Sequence, residues 1–204
     1  MTCIIDYGAG NLGSIVNMFQ KLGQPAIIAS KKEEIENSDK LILPGVGNFD
    51  YGISKLRQSG LIEILNKKVL DEKIPILGIC LGAQLMTKKS EEGVLPGFGW
   101  FDAEVKRFTF PIDQSNLRIP HMGWNYVNIK KETPLSEGLP AEPKYYFVHS
   151  YYIQANNPQD IFMTTNYGRD FVSALNYNNI YALQFHPEKS HKYGLKIFQN
   201  FLSL

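Results

Sequence analysis

The sequence predicts an α/β fold, an open, mixed but mostly parallel sheet flanked by helices. Three observations predict it. Short apolar runs alternate with helical patterns through the first half. Closely spaced strand-like segments replace them in the second. No repeat, low-complexity tract or Ser/Gly linker interrupts the chain, so residues 1–204 read as one domain with a substantial core.

The first strand is Thr2-Cys3-Ile4-Ile5-Asp6, followed by a helix near Asn11 to Leu22. That helix carries Ile15, Phe19 and Leu22 on one face and stops at Gly23. Pro25 to Ala29 and Lys40 to Leu43 are the next apolar runs, then helical stretches from Tyr51 to about Asp71. Ile74 to Ile79 has the continuous apolar character of a strand buried on both faces, and a helix is expected from about Gly82. Strands near Ala103 to Phe108, Asn125 to Ile129, Tyr145 to Val148, Phe171 to Asn176 and Ile180 to Phe185 are expected to add antiparallel strands to the same sheet. A helix from about Lys192 to Leu202 closes the chain.

Composition narrows the function classes. Lys+Arg 21 against Asp+Glu 20 leaves a net charge of +1, without the electrostatic footprint of a nucleic-acid or anionic-membrane partner. Cys3 and Cys80 lack the paired spacing of zinc or redox-dithiol sites, so no metal is expected. No apolar run approaches the roughly 18 residues of a membrane span, and no signal-peptide pattern opens the chain. A cytoplasmic location is expected.

The chemistry is concentrated at Gly78-Ile79-Cys80-Leu81-Gly82, where an apolar strand turns through two glycines into a helix. This is the form of a nucleophile elbow with cysteine in place of serine. The strained corner exposes the nucleophile, and larger neighbours would clash. A helix N-terminus also favours thiolate. A lone cysteine after an apolar run is more often a small core residue, but the glycine pair favours function. A base is supplied by Gln184-Phe185-His186-Pro187-Glu188 at the end of another apolar strand. His186 then leaves the sheet beside Cys80 if the two strands run parallel, and Glu188 can fix its tautomer. His121 sits in a loop-like stretch, His149 follows a strand without a nearby acid, and His191 begins a helix. Pro44-Gly45-Val46-Gly47 offers a flexible backbone for an oxyanion, with the Leu81 amide as second donor.

Taken together, Pro44-Gly45-Val46-Gly47, Gly78 to Gln84 and His186-Pro187-Glu188 resemble the triad class, class I, of glutamine amidotransferases. Asp6-Tyr7-Gly8-Ala9-Gly10-Asn11-Leu12, Pro120-His121-Met122-Gly123-Trp124-Asn125, Tyr146 to Tyr151 and Gln184 to Ser190 narrow the resemblance to the glutaminase subunits of imidazole glycerol phosphate synthase. It covers the whole chain and implies the class I glutamine amidotransferase fold. It implies that Cys80 attacks the amide of L-glutamine, His186 shuttles the proton and Glu188 orients His186. Gln84, Ser150 and Tyr151 would hold the substrate, and Gly45, Val46, Gly47 and Leu81 the oxyanion. Asn11, Trp124, Tyr146 and Lys189 would meet a cyclase subunit of (β/α)8 barrel type in a heterodimer that channels ammonia. No cofactor is implied. Ala83 stands where the family commonly has methionine.

Other readings compete. Gly8-x-Gly10-x-x-Gly13 after a strand satisfies a dinucleotide fingerprint, but Ala29-Ser30-Lys31-Lys32 replaces the acidic end of the second strand. A cysteine hydrolase with the same elbow would not need Gln84 or His186-Pro187-Glu188. A catalytically dead regulatory subunit would not keep Cys80, His186 and Glu188. Within the resemblance, the alternative is a paralogue supplying ammonia for acetamidino-sugar formation in surface polysaccharides, suggested by segments such as Ser90-Glu91-Glu92-Gly93.

Overall fold

A computed structural model describes residues 1–111 and 117–204. Through the first half run β1 (Thr2–Ile5), α1 (Leu12–Lys21), β2 (Ala26–Ala29), α2 (Lys32–Glu36), β3 (Lys40–Gly45), α3 (Phe49–Gln58), α4 (Ile62–Asn66), β4 (Ile76–Cys80) and α5 (Leu81–Leu85). The second half holds β5 (Lys89–Ser90), β6 (Ala103–Arg107), β7 (His121–Tyr126), β8 (Asn128–Ile129), β9 (Lys144–His149), β10 (Tyr151–Ala155), β11 (Ile161–Asn166), β12 (Asp170–Tyr177), β13 (Ile180–Leu183) and α6 (His191–Leu202).

The main sheet runs β2-β1-β3-β4-β13-β12-β10-β6-β5, with β11 on β12 and β8 on β11. From β2 to β13 every pairing is parallel, and beyond β13 the sheet continues antiparallel to β6. Alternate residues of these strands face opposite sides, and both sides are covered. Cys3, Ile5, Leu41 and Leu43 pack with Phe49, Leu56 and Ile64 of α3 and α4. Ile4, Ile42, Leu77 and Ile79 pack with Phe19 of α1 and Phe198 of α6, whose rings lie 5.4 Å apart. Among the described residues, no helix is long and apolar enough to cross a membrane.

Several expectations are corrected. The strand near Tyr145 to Val148 is β9, and it pairs with β7 in a separate two-stranded antiparallel sheet rather than extending the main one. One face of this ribbon is buried by Tyr145, Phe147, His121 and His149, while Met122, Trp124 and Tyr126 on the other are exposed. A half-buried ribbon suits a position over the sheet's end better than one inside it. His121 therefore lies in a strand, not a loop. The strand expected at Asn125 to Ile129 is split between β7 and β8, and β8 pairs with β11, a strand absent from the sequence reading.

The helical stretch from Tyr51 to Asp71 breaks at Gly60, whose φ of +69° ends α3, and α4 runs on into a π-helical turn at Lys67–Asp71. The helix α2 was also unforeseen. Glu34 stabilises its start by accepting hydrogen bonds from the Ser30 and Lys31 amides at 2.9 and 3.0 Å.

Candidate active site

The parallel register brings the candidate residues to one edge. Gly45 stands opposite Cys80 across β3 and β4, and Leu183 opposite Ile79 across β13 and β4. The chain leaving β13 therefore emerges beside the chain leaving β4. Cys80 itself occupies φ +54°, ψ −110°, a conformation costing an L-residue about 1–3 kcal/mol, which the packed glycines hold in place. A β-carbon on Gly78 would stand 2.9 Å from Ala83 Cα, and one on Gly82 would collide with the Leu43 carbonyl. The helix expected from Gly82 is the five-residue α5, so it contributes little macrodipole to the thiol.

His186 Nδ1 lies 2.7 Å from Glu188 Oε1, and both side chains are buried, 1% and 2% exposed. Burial would push the imidazole down, but the neighbouring Cys80 sulfur and then the Glu188 carboxylate outweigh it, raising the imidazole to about 10. His186 Nε2 is buried and makes no hydrogen bond of ordinary geometry, and the ring lines the same cavity as Cys80. The His186 amide donates to the Tyr146 carbonyl at 2.9 Å, and Ser190 Oγ accepts from the Tyr146 amide at 3.0 Å. These bonds lock the Pro187–Lys189 turn to β9.

A cavity of about 310 Å³ opens over Cys80 and His186, within the size range of small-ligand sites. Val46, Gly47, Leu81, Gln84, Ser150 and Tyr151 all line it, and Gly45 forms the adjoining end of β3. Gln84 Nε2 donates to Gln184 Oε1 at 3.0 Å and to the Tyr151 carbonyl at 3.3 Å. Asn11, Trp124, Tyr146 and Lys189 are outside the cavity lining. Trp124 and Tyr146 are ring neighbours at 6.4 Å, and Lys189 Nζ lies 5.7 Å from the Tyr146 ring centroid. Asn11 caps α1, which packs on the Pro187–Lys189 turn.

Four features were missed in the sequence. Glu92 lines the cavity and accepts from the Phe49 amide at 2.9 Å, joining the cavity wall to the chain after Gly47. Tyr7 Oη donates to the Pro44 carbonyl at 2.7 Å, bracing the end of β3; burial, first, and the nearby Cys80 charge push its phenol up. Gln184 Nε2 reaches Cys80 Sγ at 3.9 Å. His149 also lines the cavity and bonds His121. Tyr7 and Gln184 lie inside motifs noted above, whereas nothing local marks Glu92.

Burial pushes His121 down to about 4 and, with smaller contributions from the charges of His121 and His186, His149 down to about 3. Both folded values lie below the ordinary value of 6.5, so the unfolded chain binds protons first as pH falls. The fold should therefore lose stability from about pH 6.5 downward, before most carboxylates titrate. The midpoint of thermal unfolding is expected to be lower at pH 5 than at pH 7, and an equal or higher midpoint at pH 5 would contradict neutral burial.

Residues 3–204 match the family model for class-I glutamine amidotransferases. The chain is 52% identical over 202 residues to imidazole glycerol phosphate synthase subunit HisH 2 of Methanococcus maripaludis, covering 99% of this chain and 98% of that protein. It is 45% identical to imidazole glycerol phosphate synthase subunit HisH 2 of Pseudomonas aeruginosa, with both chains covered in full. A solved glutamine amidotransferase shares the fold at TM-score 0.76 and 20% identity, covering 98% and 97% of the two chains. With the elbow, the parallel register and a family match from end to end, the chain belongs to the class-I glutamine amidotransferases.

Proposed function

We propose that this chain is the glutaminase subunit of an imidazole glycerol phosphate synthase, supplying ammonia for histidine biosynthesis. The supporting observation is the buried His186–Glu188 pair beside a strained Cys80, within a chain similar along its length to such subunits. Cys80 Sγ attacks the side-chain carbonyl carbon of L-glutamine. Amides of the Gly45-Val46-Gly47 loop and Leu81 receive the oxyanion. His186 Nε2 gives its proton to the departing nitrogen, releasing ammonia and leaving a thioester. It then takes a proton from water, which hydrolyses the thioester to glutamate and regenerates Cys80. Glu188 orients the imidazole. Gln84, Ser150 and Tyr151 hold the substrate, and the Glu92 carboxylate suits its α-ammonium group.

The partner in this reading is a cyclase subunit of (β/α)8 barrel type. It docks over the exposed ribbon face of Met122, Trp124 and Tyr126, near Asn11, Tyr146 and Lys189, and receives the ammonia. Gly47 has φ +106° with open space around it, and Val46 is 43% exposed, so the oxyanion loop can change orientation. The lone chain should therefore hydrolyse glutamine slowly, with glutamate release rising at least about tenfold when cyclase and its acceptor are added. Full turnover by the lone chain, unchanged by the partner, would contradict a loop set by docking.

A second reading is a paralogue that supplies ammonia for acetamidino-sugar formation. It is suggested by non-catalytic segments such as Ser90-Glu91-Glu92-Gly93 and Lys189 to Gly194. Growth separates the readings. A bacterium lacking its own glutaminase subunit, supplied with this chain and its cognate barrel, should grow without histidine on limiting ammonia. Failure to grow despite measurable glutaminase activity would favour the sugar pathway.

A further inference from the structure

Strands β7 and β9 bring together two buried histidines that the reaction above does not use. His149 Nδ1 lies 2.7 Å from the Tyr151 carbonyl oxygen. A carbonyl can only accept, so Nδ1 carries the proton. The ring is neutral because it is buried, which leaves a lone pair on Nε2. That atom lies 3.0 Å from His121 Nδ1, which must then be the donor. His121 is neutral for the same reason, so its Nε2 accepts from Asn125 Nδ2 at 3.2 Å. Asn125 Nδ2 also donates to the Asn166 carbonyl at 2.9 Å. One carbonyl thus fixes the protons on two rings, and Asn125, whose amide is oriented by the Asn166 carbonyl and the Tyr126 amide, ends the chain in agreement.

The same Tyr151 oxygen also accepts from Gln84 Nε2 at 3.3 Å, and that nitrogen donates to Gln184 Oε1 at 3.0 Å. With both amide protons of Gln84 engaged, Oε1 is the atom left for a ligand. Any drift of the Tyr151 carbonyl would release one of those protons and let the amide turn.

We propose that His149, its ring held in place by the bond from His121 Nδ1 to its Nε2, is a positioning residue for glutamine: its Nδ1 proton fixes the Tyr151 carbonyl and through it the Gln84 amide in the cavity wall. This rests on the glutaminase reading. His149 acts on substrate binding and leaves the Cys80 and His186 chemistry in place.

The tautomers can be read directly in the unaltered protein. The chain has four histidines, so long-range proton–nitrogen correlation spectra of 15N-histidine-labelled protein at neutral pH are assignable with His121→Asn and His149→Asn. His121 and His149 should both carry the proton on Nδ1 with bare Nε2. A proton on Nε2 of His149, or a doubly protonated ring, overturns the proposal even if no variant folds. In kinetics with the cognate partner, His149→Ala should raise KM for glutamine about tenfold while kcat changes less than about twofold. His149→Asn should restore KM to within about threefold of the parent, because its amide nitrogen can donate to the same carbonyl. Equal KM values in the two variants, or a loss confined to kcat, overturn it. An inactive parent protein would instead overturn the glutaminase reading, and a parent active on glutamine with other tautomers overturns this inference alone.

Discussion

Cys80→Ala is expected to reduce glutamine hydrolysis by on the order of 10⁴-fold or more, while the partnered complex keeps its use of free ammonium. The nucleophile has no substitute nearby: the other cysteine, Cys3, is buried on β1 and bonds the Glu34 carbonyl. When nucleophile and base act as a unit, removing either costs nearly as much as removing both. His186→Ala should therefore fall close to Cys80→Ala. Glu188→Gln should lose less, since an amide still occupies the position against His186 Nδ1 while its charge is gone. Glutamate release under single-turnover conditions measures all three, with ammonium-dependent cyclisation as the control. Glutaminase activity in Cys80→Ala above contamination, or a larger loss in Glu188→Gln than in Cys80→Ala, would sink the assignment of roles.

Gly82→Ala is expected to damage the fold and the site together. Its β-carbon would collide with the carbonyl of Leu43 on β3, and backbone on both sides leaves no flexible side chain to yield. The neighbouring Gly45 is also confined, with a β-carbon position 2.7 Å from the Gly82 nitrogen. This is where the nucleophile corner and the end of β3 meet, and glycine at both positions allows the contact. Separating them should cost about 3 kcal/mol, as overpacking at a rigid contact does. For a chain of this size that lowers the thermal midpoint by about 6–12 °C. Glutaminase activity should fall further than stability at the assay temperature explains, because the oxyanion donors and the sulfur separate. Unfolding curves and kcat/KM test this together, and a variant with parental midpoint and turnover would refute the close-contact account.

The alternating first half and the strand-to-helix corner at Cys80 were legible because both are local. A period-2 or period-3.6 pattern, a glycine pair around a cysteine, and an acid two residues after a histidine lie within a few residues of one another. The parallel relation of β4 and β13 followed from the pattern as a condition, and the register met it. The ribbon of β7 and β9 was illegible for the opposite reason. Its strands look like any half-buried pair, and only the competition among sheet edges decides which partner they take. Mistaking the start of β7 for a loop concealed His121, and treating His149 by its sequence neighbours concealed a partner 28 residues away.

What the sequence determined by itself was the α/β class, the strand-to-helix corner at Cys80, and which residues are candidates for nucleophile, base and orienting acid. Those properties depend on side-chain chemistry and short-range backbone preference, which the chain carries wherever it folds. Tertiary structure alone decided that Glu92 reaches the cavity, that Tyr7 braces β3, and that the Tyr146 backbone holds the His186 turn. Each depends on a hydrogen bond or an approach between segments distant in sequence. Such contacts form only when the packed sheet has brought those segments together, because burial leaves their polar groups no water to bond instead.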